Sequence, residues 1–325
     1  IAAYKAAEIV RALVKRGDEV RVMMTASACE FIAPLTLQVL SQNRVGTELF
    51  DATFESEIGH IELARWPEVI LLAPATANLI GRLAGGLADD LVTTVAMATT
   101  APLVIAPAMN TQMFLNPAVQ RNLLSLEEFG HFVVDPDQGE LACKEVGPGR
   151  LPDAHVLLDC IDRATNPQLL AGKRVIVSAG PTREHLDPAR FISNPSTGKM
   201  GFAVARAAQI LGADVMLVAG PTALDTPYGV RRIDVETAEQ MHEVIMAGAE
   251  NADYIVKAAA VADWRPRTPS VHKRAKADSS STLELERTPD ILATLGELYG
   301  ETKKPFVIGF AAESQDVLER GRAKL

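Results

Sequence analysis

Cysteine is scarce in this sequence, and the three present, Cys29, Cys143 and Cys160, stand far apart. There is no CxxC pair to begin a zinc site. The sparse spacing points to a reducing, cytoplasmic setting rather than a disulfide framework. No run of 18 apolar residues occurs, so no helix is expected to span a membrane, and no signal peptide is read. Positive charge is also short: 32 Lys and Arg face 41 Asp and Glu, a formal net charge of −9. That argues against a general nucleic-acid surface, but small phosphorylated ligands need only a local positive site. The GxGxxG fingerprint is missing, which leaves NAD binding without support. A Walker loop fails as well. Gly198-Lys199 is followed by Met200, where Ser or Thr must reach magnesium, and Ser193 occupies the place of the first glycine.

What is present describes two α/β domains. The chain has 325 residues, 48% hydrophobic and 22% charged, enough for two domains of ordinary size. The organising stretch is Gly172 to Gly201, GKRVIVSAGPTREHLDPARFISNPSTGKMG. Arg174 to Ser178 reads as a buried strand and Met200 to Gly212 as a helix, with a loop rich in Gly, Pro, Ser and Asn between them. Strand, glycine-containing loop and helix hold phosphates on backbone N–H groups at the helix N-terminus. A complete α/β half precedes it.

In that first half the patterning predicts helices over Ala2–Arg16, Ala26–Ser41, Asn78–Leu87 and Met113–Phe129, the last broken or started near Pro117. It predicts strands over Val20–Thr25, Val69–Pro74, Leu103–Pro107 and Phe132–Asp135. The alternation implies a doubly wound parallel sheet whose ligand site lies at the carboxyl ends of the strands. Those ends carry Thr25 and Ser27, Thr76 and Asn78, and Asn110. A polar, uncharged pocket is one reading; the other is that Ser27 and Asn78 simply cap helices. His60 is expected at a helix start. Cys143 sits in a polar loop, where a thiol is more often reactive than structural. Asp89-Asp90 reads as a solvated helix end rather than a catalytic pair. Asp162 to Leu170 reads as the linker.

The second half predicts strands over Asp214–Gly220, Val230–Val235, Ala252–Val261, Leu283–Glu286 and Pro305–Ala311. It predicts helices over Thr237–Ala249, capped by Thr237, and Pro289–Leu298, with Pro in the first turn. This is a Rossmann-like order.

Several motifs carry a resemblance. IAAYK, GHIEL, LAPATANLIGRLAGGLADDL, APAMNTQM and ELACKEVGPGR resemble the flavin-dependent cysteine decarboxylases. SAGPTRE, DPARFISNPSTGKMG, AAAVADW and GFAAE resemble phosphopantothenate–cysteine ligase. In this order they resemble the bacterial bifunctional phosphopantothenoylcysteine decarboxylase/phosphopantothenate–cysteine ligase, over nearly the whole chain. The resemblance implies a flavodoxin-like, Rossmann-type FMN domain over residues 1–165 and a Rossmann-like ligase domain over residues 172–325.

For the first domain the resemblance implies FMN-dependent decarboxylation of phosphopantothenoylcysteine to 4′-phosphopantetheine. His60 is then the active-site histidine, Asn110 the substrate carboxylate's partner and Cys143 the proton donor. Thr25, Ser27, Thr76 and Asn78 are the FMN ligands. For the second domain it implies ligation of cysteine to 4′-phosphopantothenate through an acyl-cytidylate made from CTP, with Mg2+. Asn194 contacts that intermediate and Lys273 neutralises phosphate. Lys257, Ala258, Ala259, Asp263, Pro289, Asp290, Ile291, Leu292, Phe310 and Lys324 bind CTP, Asp263 also serving the metal. Gly180, Ser196, Gly198 and Gly201 frame phosphates. A homo-oligomer is expected, trimeric through the decarboxylase and dimeric through the ligase, with no nucleic-acid or membrane partner.

The pattern is not met everywhere. Lys144 replaces a usual glycine and Lys273 to Lys276 reads KRAK. Ile1 starts inside a motif, so an N-terminal glycine-rich strand-turn is expected beyond it, and further ligase residues beyond Leu325. Three rivals stand beside this reading: a regulatory flavin-binding relative, a peptide cysteine decarboxylase and an NAD(P) oxidoreductase.

Overall fold

The computed structural model describes residues 2–50, 59–142, 144–273, 282–302, 304–310, 315–316 and 319. The chain forms two compact units, Ile1–Asn166 and Pro167–Leu325. In the first, a 3₁₀ turn over Ala2–Tyr4 leads into α1 (Lys5–Arg16), followed by α2 (Ala26–Cys29), α3 (Pro34–Ser41) and α4 (His60–Arg65). Then come β1 (Ile70–Ala75), α5 (Ala77–Ala84), α6 (Leu91–Ala98), β2 (Leu103–Pro107), α7 (Thr111–Phe114), α8 (Pro117–Glu128) and β3 (Phe132–Val133). An antiparallel hairpin of β4 (Asp137–Glu140) and β5 (Val146–Arg150) precedes α9 (Ala154–Thr165).

β1, β2 and β3 pair in parallel in that order, with Ile70 opposite Leu103 and Val104 opposite Phe132. Every residue of β2 is buried, as expected of a parallel strand covered on both faces. Leu72, Ile80, Leu91, Val95, Ile105 and Leu126 belong to one core cluster; Val10, Met24, Leu37 and Val45 form a second.

Three expectations are corrected here. Val20–Thr25 is not a strand: it makes one parallel bridge, Met23 to Gly46, with Met24 N donating to Gly46 O at 2.9 Å. An apolar run becomes a strand only where a ladder partner exists, and its flank borders a cavity instead. Ala26–Ser41 is two helices, because Pro34 can open a helix but cannot continue one. The linker is shorter than Asp162–Leu170, since α9 runs on to Thr165.

The second unit contains β6 (Arg174–Ala179), a hairpin of β7 (Arg183–Asp187) and β8 (Arg190–Ser193), α10 (Lys199–Ile210), β9 (Asp214–Ala219), β10 (Val230–Asp234) and α11 (Ala238–Ala249). It continues with β11 (Tyr254–Lys257), the pair β12 (Trp264–Pro266) and β13 (Leu285–Arg287), α12 (Ile291–Tyr299) and β14 (Phe306–Gly309). Five strands form a parallel sheet in the order β10-β9-β6-β11-β14. The chain leaves β6 in one direction and returns in the other, so a topological switch point lies between β6 and β11.

Alternation splits the core across the sheet. Val175, Val177 and Val256 pack with Phe202 and Ala205 of α10; Ile176 and Ile255 pack with Met241 and Ile245 of α11 and Ile291 and Leu295 of α12. α11 has the foreseen Thr237 cap, completed into a capping box by Gln240. The expected strand Ala252–Val261 contracts to Tyr254–Lys257, because residues beyond it strap onto neighbouring loops. Pro289 lies outside α12, whose cap is Asp290. Neither hairpin was foreseen. Among the described residues no helix is long and apolar enough to cross a membrane.

Candidate functional sites

In the first unit the polar residues sit at or just inside helix starts. Thr25 caps α2, its hydroxyl accepting from Ala28 N at 3.2 Å, and Thr76 caps α5, accepting from Leu79 N at 3.3 Å. The caps expected at Ser27 and Asn78 fall instead on Thr25 and Thr76, while Ser27 and Asn78 lie in the first turns of α2 and α5. Thr25, Ser27, Thr76 and Asn78 line one cavity of about 1130 Å³. Its walls come from both core clusters, among them Val10 and Met24 on one side and Leu72 and Leu79 on the other. The lining mixes apolar side chains with hydroxyls, amides and charged groups such as Arg82 and Asp90, and the volume exceeds the roughly 300–1,000 Å³ usual for ligand pockets. The residues present fit a bound flavin.

His60 opens α4, as expected, and is half-buried. Asn110 caps α7: its Oδ1 accepts from Gln112 N at 2.8 Å, and its Nδ2 donates to Glu145 Oε2 at 2.6 Å. Asn110 thus already holds a carboxylate. Glu145 belongs to the β4–β5 hairpin, which is fixed to the Met109–Asn110 turn by Met109 N donating to Gly149 O at 2.9 Å. Only glycine permits this approach: at φ +136°, a Cβ on residue 149 would lie 2.2 Å from Met109 O. Neither His60 nor Asn110 lines the large cavity. Cys143 lies outside the described residues.

Asp89 and Asp90 are not a catalytic pair. Both are held by Arg82, whose Nη1 donates to Asp90 at 2.8 Å, and Asp90 forms a capping box with Thr93. Burial opposes the Asp90 charge, but the Thr93 amide and Arg82 outweigh it and hold its carboxyl below the usual range. Arg82, which lines the cavity, was missed as a site neighbour; the i, i+8 spacing to Asp90 was its only sequence signal.

In the second unit the carboxyl edge of the sheet is stitched together at the switch point. Ser178 Oγ accepts from Ala259 N at 3.3 Å and Thr182 Oγ1 from Ala262 N at 3.0 Å. Asn194 Nδ2 donates to Val261 O at 2.9 Å, and Thr288 Oγ1 to Ala262 O at 2.6 Å. Four segments, 178–182, 194–201, 257–263 and 288–292, therefore meet around one edge. α10 starts there from Gly198 with no side-chain cap. Gly201 is pressed onto β6, where an added Cβ would lie 2.5 Å from Ala179 Cβ.

Lys257, the last residue of β11, is 9% exposed. Burial lowers its pKa from 10.5 to about 8, with the charge of Asp290 pulling the other way. Asp290 itself accepts from Ala293 N at 3.0 Å. Ile291 is 2% exposed and turned into the core, so only its backbone is available to a ligand. Asp263, Lys273 and Phe310 are exposed. Among the described residues no group of three or more His, Cys, Asp or Glu gathers as a metal cage. Lys324 lies outside the described residues.

Comparison with known proteins defines the class first. Residues 1–166 match the Flavoprotein family, and residues 170–325 match the DNA/pantothenate metabolism flavoprotein C-terminal domain. The chain is 50% identical over 327 residues to the coenzyme A biosynthesis bifunctional protein CoaBC of Vibrio cholerae, covering all of this chain and 82% of that one. It is 46% identical over 329 residues to the protein of the same name from Bacillus subtilis, covering all of this chain and 80% of that one. A crystal structure of the C-terminal domain of a CoaBC is 48% identical, covers 49% of this chain and 74% of that one, and has a TM-score of 0.43. The chain belongs to the family of coenzyme A biosynthesis bifunctional proteins, enzymes that join a decarboxylase and a ligase in one chain.

Proposed function

We propose that the first unit decarboxylates phosphopantothenoylcysteine from the cavity lined by Thr25, Ser27, Thr76 and Asn78, and that the second makes that substrate at its switch point. The observation that carries this is the convergence of 178–182, 194–201, 257–263 and 288–292 on one sheet edge.

In the first unit FMN, when bound, supplies the two-electron oxidation of the thiol-bearing carbon and its later re-reduction. Thr25 and Thr76, held at helix starts, present hydroxyls to it, and Ser27 serves its phosphate. Asn110 receives the substrate carboxylate through Nδ2, the atom that now donates to Glu145. Substrate entry displaces Glu145, and that exchange of one carboxylate for another couples binding to movement of the β4–β5 hairpin. His60 moves a proton at the substrate, and Cys143 donates one for the reductive step.

In the second unit the 4′-phosphopantothenate carboxylate attacks the α-phosphate of CTP and pyrophosphate leaves. The cysteine amine then attacks the acyl carbon and CMP leaves. Asn194, anchored to Val261 O, contacts the acyl-cytidylate. Lys273 and Lys324 meet phosphate charge. Ala258, Ala259, Pro289, Asp290, Ile291, Leu292 and Phe310 surround the nucleotide. Gly180, Ser196, Gly198 and Gly201 offer backbone N–H groups. Asp263 is a single carboxylate, which suits Mg2+ brought in on nucleotide phosphates rather than caged by protein. The protein acts in the cytoplasm as a homo-oligomer, trimeric through the first unit and dimeric through the second.

Two separate assays test this. Phosphopantothenoylcysteine with FMN must release carbon dioxide, and CTP with Mg2+ must release pyrophosphate only when 4′-phosphopantothenate is added. Pyrophosphate release independent of phosphopantothenate contradicts the ligase reading. A protein that takes up FMN without releasing carbon dioxide favours a regulatory flavin-binding role.

A further inference from the structure

Arg21 is held in the first unit by a ring and two charges rather than by hydrogen bonds. Its Cζ stands 4.4 Å from the centre of the Trp66 ring. Its Nη2 lies 3.6 Å from Glu19 Oε1 and its Nη1 4.0 Å from Glu62 Oε1, charge contacts too long for hydrogen bonds. Only 18% of the side chain is exposed, and Nε and Nη1 are buried with no hydrogen bond among the described residues. Buried N–H groups in this state cost stability; stacking on Trp66 and attraction to Glu62 and Glu19 offset that cost. Glu62 and Trp66 belong to α4 and its cap, four residues apart and therefore on one face. On another face Leu63 and Ala64 are buried in the core. α4 has six residues, and its Gly59 cap makes no side-chain bond. Helices shorter than about 12–15 residues do not hold themselves in water, so the orientation of α4 is set by the core on one face and Arg21 on the other. His60 is its first residue. Arg21 in turn precedes Thr25 and Ser27 on a segment pinned by the Met23–Gly46 bridge.

We propose that Arg21 is a positioning residue for the decarboxylation, fixing the angle at which α4 presents His60 to the segment that carries Thr25 and Ser27. This rests on the reading of His60 as the group that moves a proton at the substrate, and adds to it the residue that aims it. Arg21 exchanges no proton and forms no covalent bond; it acts through Trp66 and Glu62. A proton transfer needs its two heavy atoms within hydrogen-bond reach, and a misplacement of about 1 Å costs up to about 100-fold in rate. A clamp on α4 therefore shows in kcat. Arg21 and Trp66 both border the large cavity, so action through α4 has to be separated from direct contact with the cofactor, which would show in flavin retention instead.

The test uses the whole protein with FMN and phosphopantothenoylcysteine, with residual carbon dioxide release followed over hours. Arg21→Met keeps the apolar stem and loses the guanidinium. It should lower kcat about 10- to 100-fold, while KM and flavin retention after gel filtration stay within about twofold of wild type. Arg21→Lys, which restores a cation over the ring but not the planar fork, should recover part of the rate. In a His60→Gln background, where the group being aimed is gone, Arg21→Met should cost nothing further. A second readout needs no turnover. In a Trp264→Phe background Trp66 is the sole tryptophan, and acrylamide should quench it more readily in Arg21→Met, without flavin or substrate present. If Arg21→Met does not fold, Glu62→Gln, which weakens the other grip on α4, should still lower kcat with KM unchanged. Unchanged kcat, an equal loss with and without His60, or a loss of flavin retention that accounts for the rate overturns the proposal. A wild-type rate in His60→Gln overturns the reading on which it rests.

Discussion

Replacing Lys257 by methionine should stabilise the second unit while disabling its nucleotide site. The side chains are close in length, so the core around Ile255 and Ile291 keeps its packing. The amine's pKa falls from 10.5 in the open chain to about 8 in the folded one. That difference of 2.5 corresponds to about 3 kcal/mol at about 1.4 kcal/mol per unit. The sign follows from a base whose folded pKa is depressed. Below pH 8 the folded state pays the full cost of carrying a charge that the unfolded chain carries freely. Between 8 and 10.5 the cost shrinks, and above 10.5 it is gone. Lys257→Met should therefore gain about 3 kcal/mol at pH 7 and about half of that at pH 9.5. Trp264 lies in the second unit and the other tryptophan, Trp66, in the first. Urea unfolding followed by tryptophan fluorescence in a Trp66→Phe background reads the second unit alone. A variant less stable than wild type at pH 7, or a gain that does not change with pH, refutes the reasoning. A gain in stability with a loss of ligation is the trade expected at a functional site.

Other perturbations separate the two units. Gly149→Ala puts a Cβ 2.2 Å from Met109 O, so the β4–β5 hairpin must lift away from Asn110. Carbon dioxide release should fall at least tenfold while CTP-dependent pyrophosphate release is unchanged, and equal loss of both contradicts the local account. Glu145→Gln weakens the ligand that occupies Asn110, so the KM for phosphopantothenoylcysteine should drop or hold while Asn110→Ala raises it; the reverse order argues against displacement. Thr76→Ala removes the α5 cap, costing about 1 kcal/mol in thermal stability, and should also weaken FMN retention, measured by flavin absorbance after gel filtration. Burial pushes the Cys160 thiol up to about 12, so it should resist iodoacetamide at pH 8 in the native protein, as peptide mass mapping will show; rapid labelling contradicts its burial.

The second unit was more legible in the sequence than the first. Runs such as VIVSA and VMLVA are buried strands wherever helices cover both faces, and Thr237 with Gln240 announces a helix start. Hairpins built from DQGE and VGPGR have no such signal. Where the hairpin docks depends on a glycine that lets its backbone approach the Met109–Asn110 turn, Gly149. Val20–Thr25 has strand composition, yet pairing is a tertiary property that composition does not report. At the sites, Thr76 and Asn110 were legible as polar residues following strands, and Thr25 as one that ends an apolar run. All three cap helices, which fixes their side chains without assigning them a ligand. Asp89-Asp90 resolved as partners of Arg82, a contact set by the turn between α5 and α6. Burial of Lys257 was not legible, because a lysine after an apolar run ordinarily points to solvent.

The central claim is that one chain makes and then decarboxylates the same intermediate. Incubation with 4′-phosphopantothenate, cysteine, CTP, Mg2+ and FMN, with products read by mass, tests it most directly. The account predicts 4′-phosphopantetheine, with phosphopantothenoylcysteine appearing first and then declining. Unchanged 4′-phosphopantothenate, under conditions in which the Vibrio cholerae relative forms product, would contradict it.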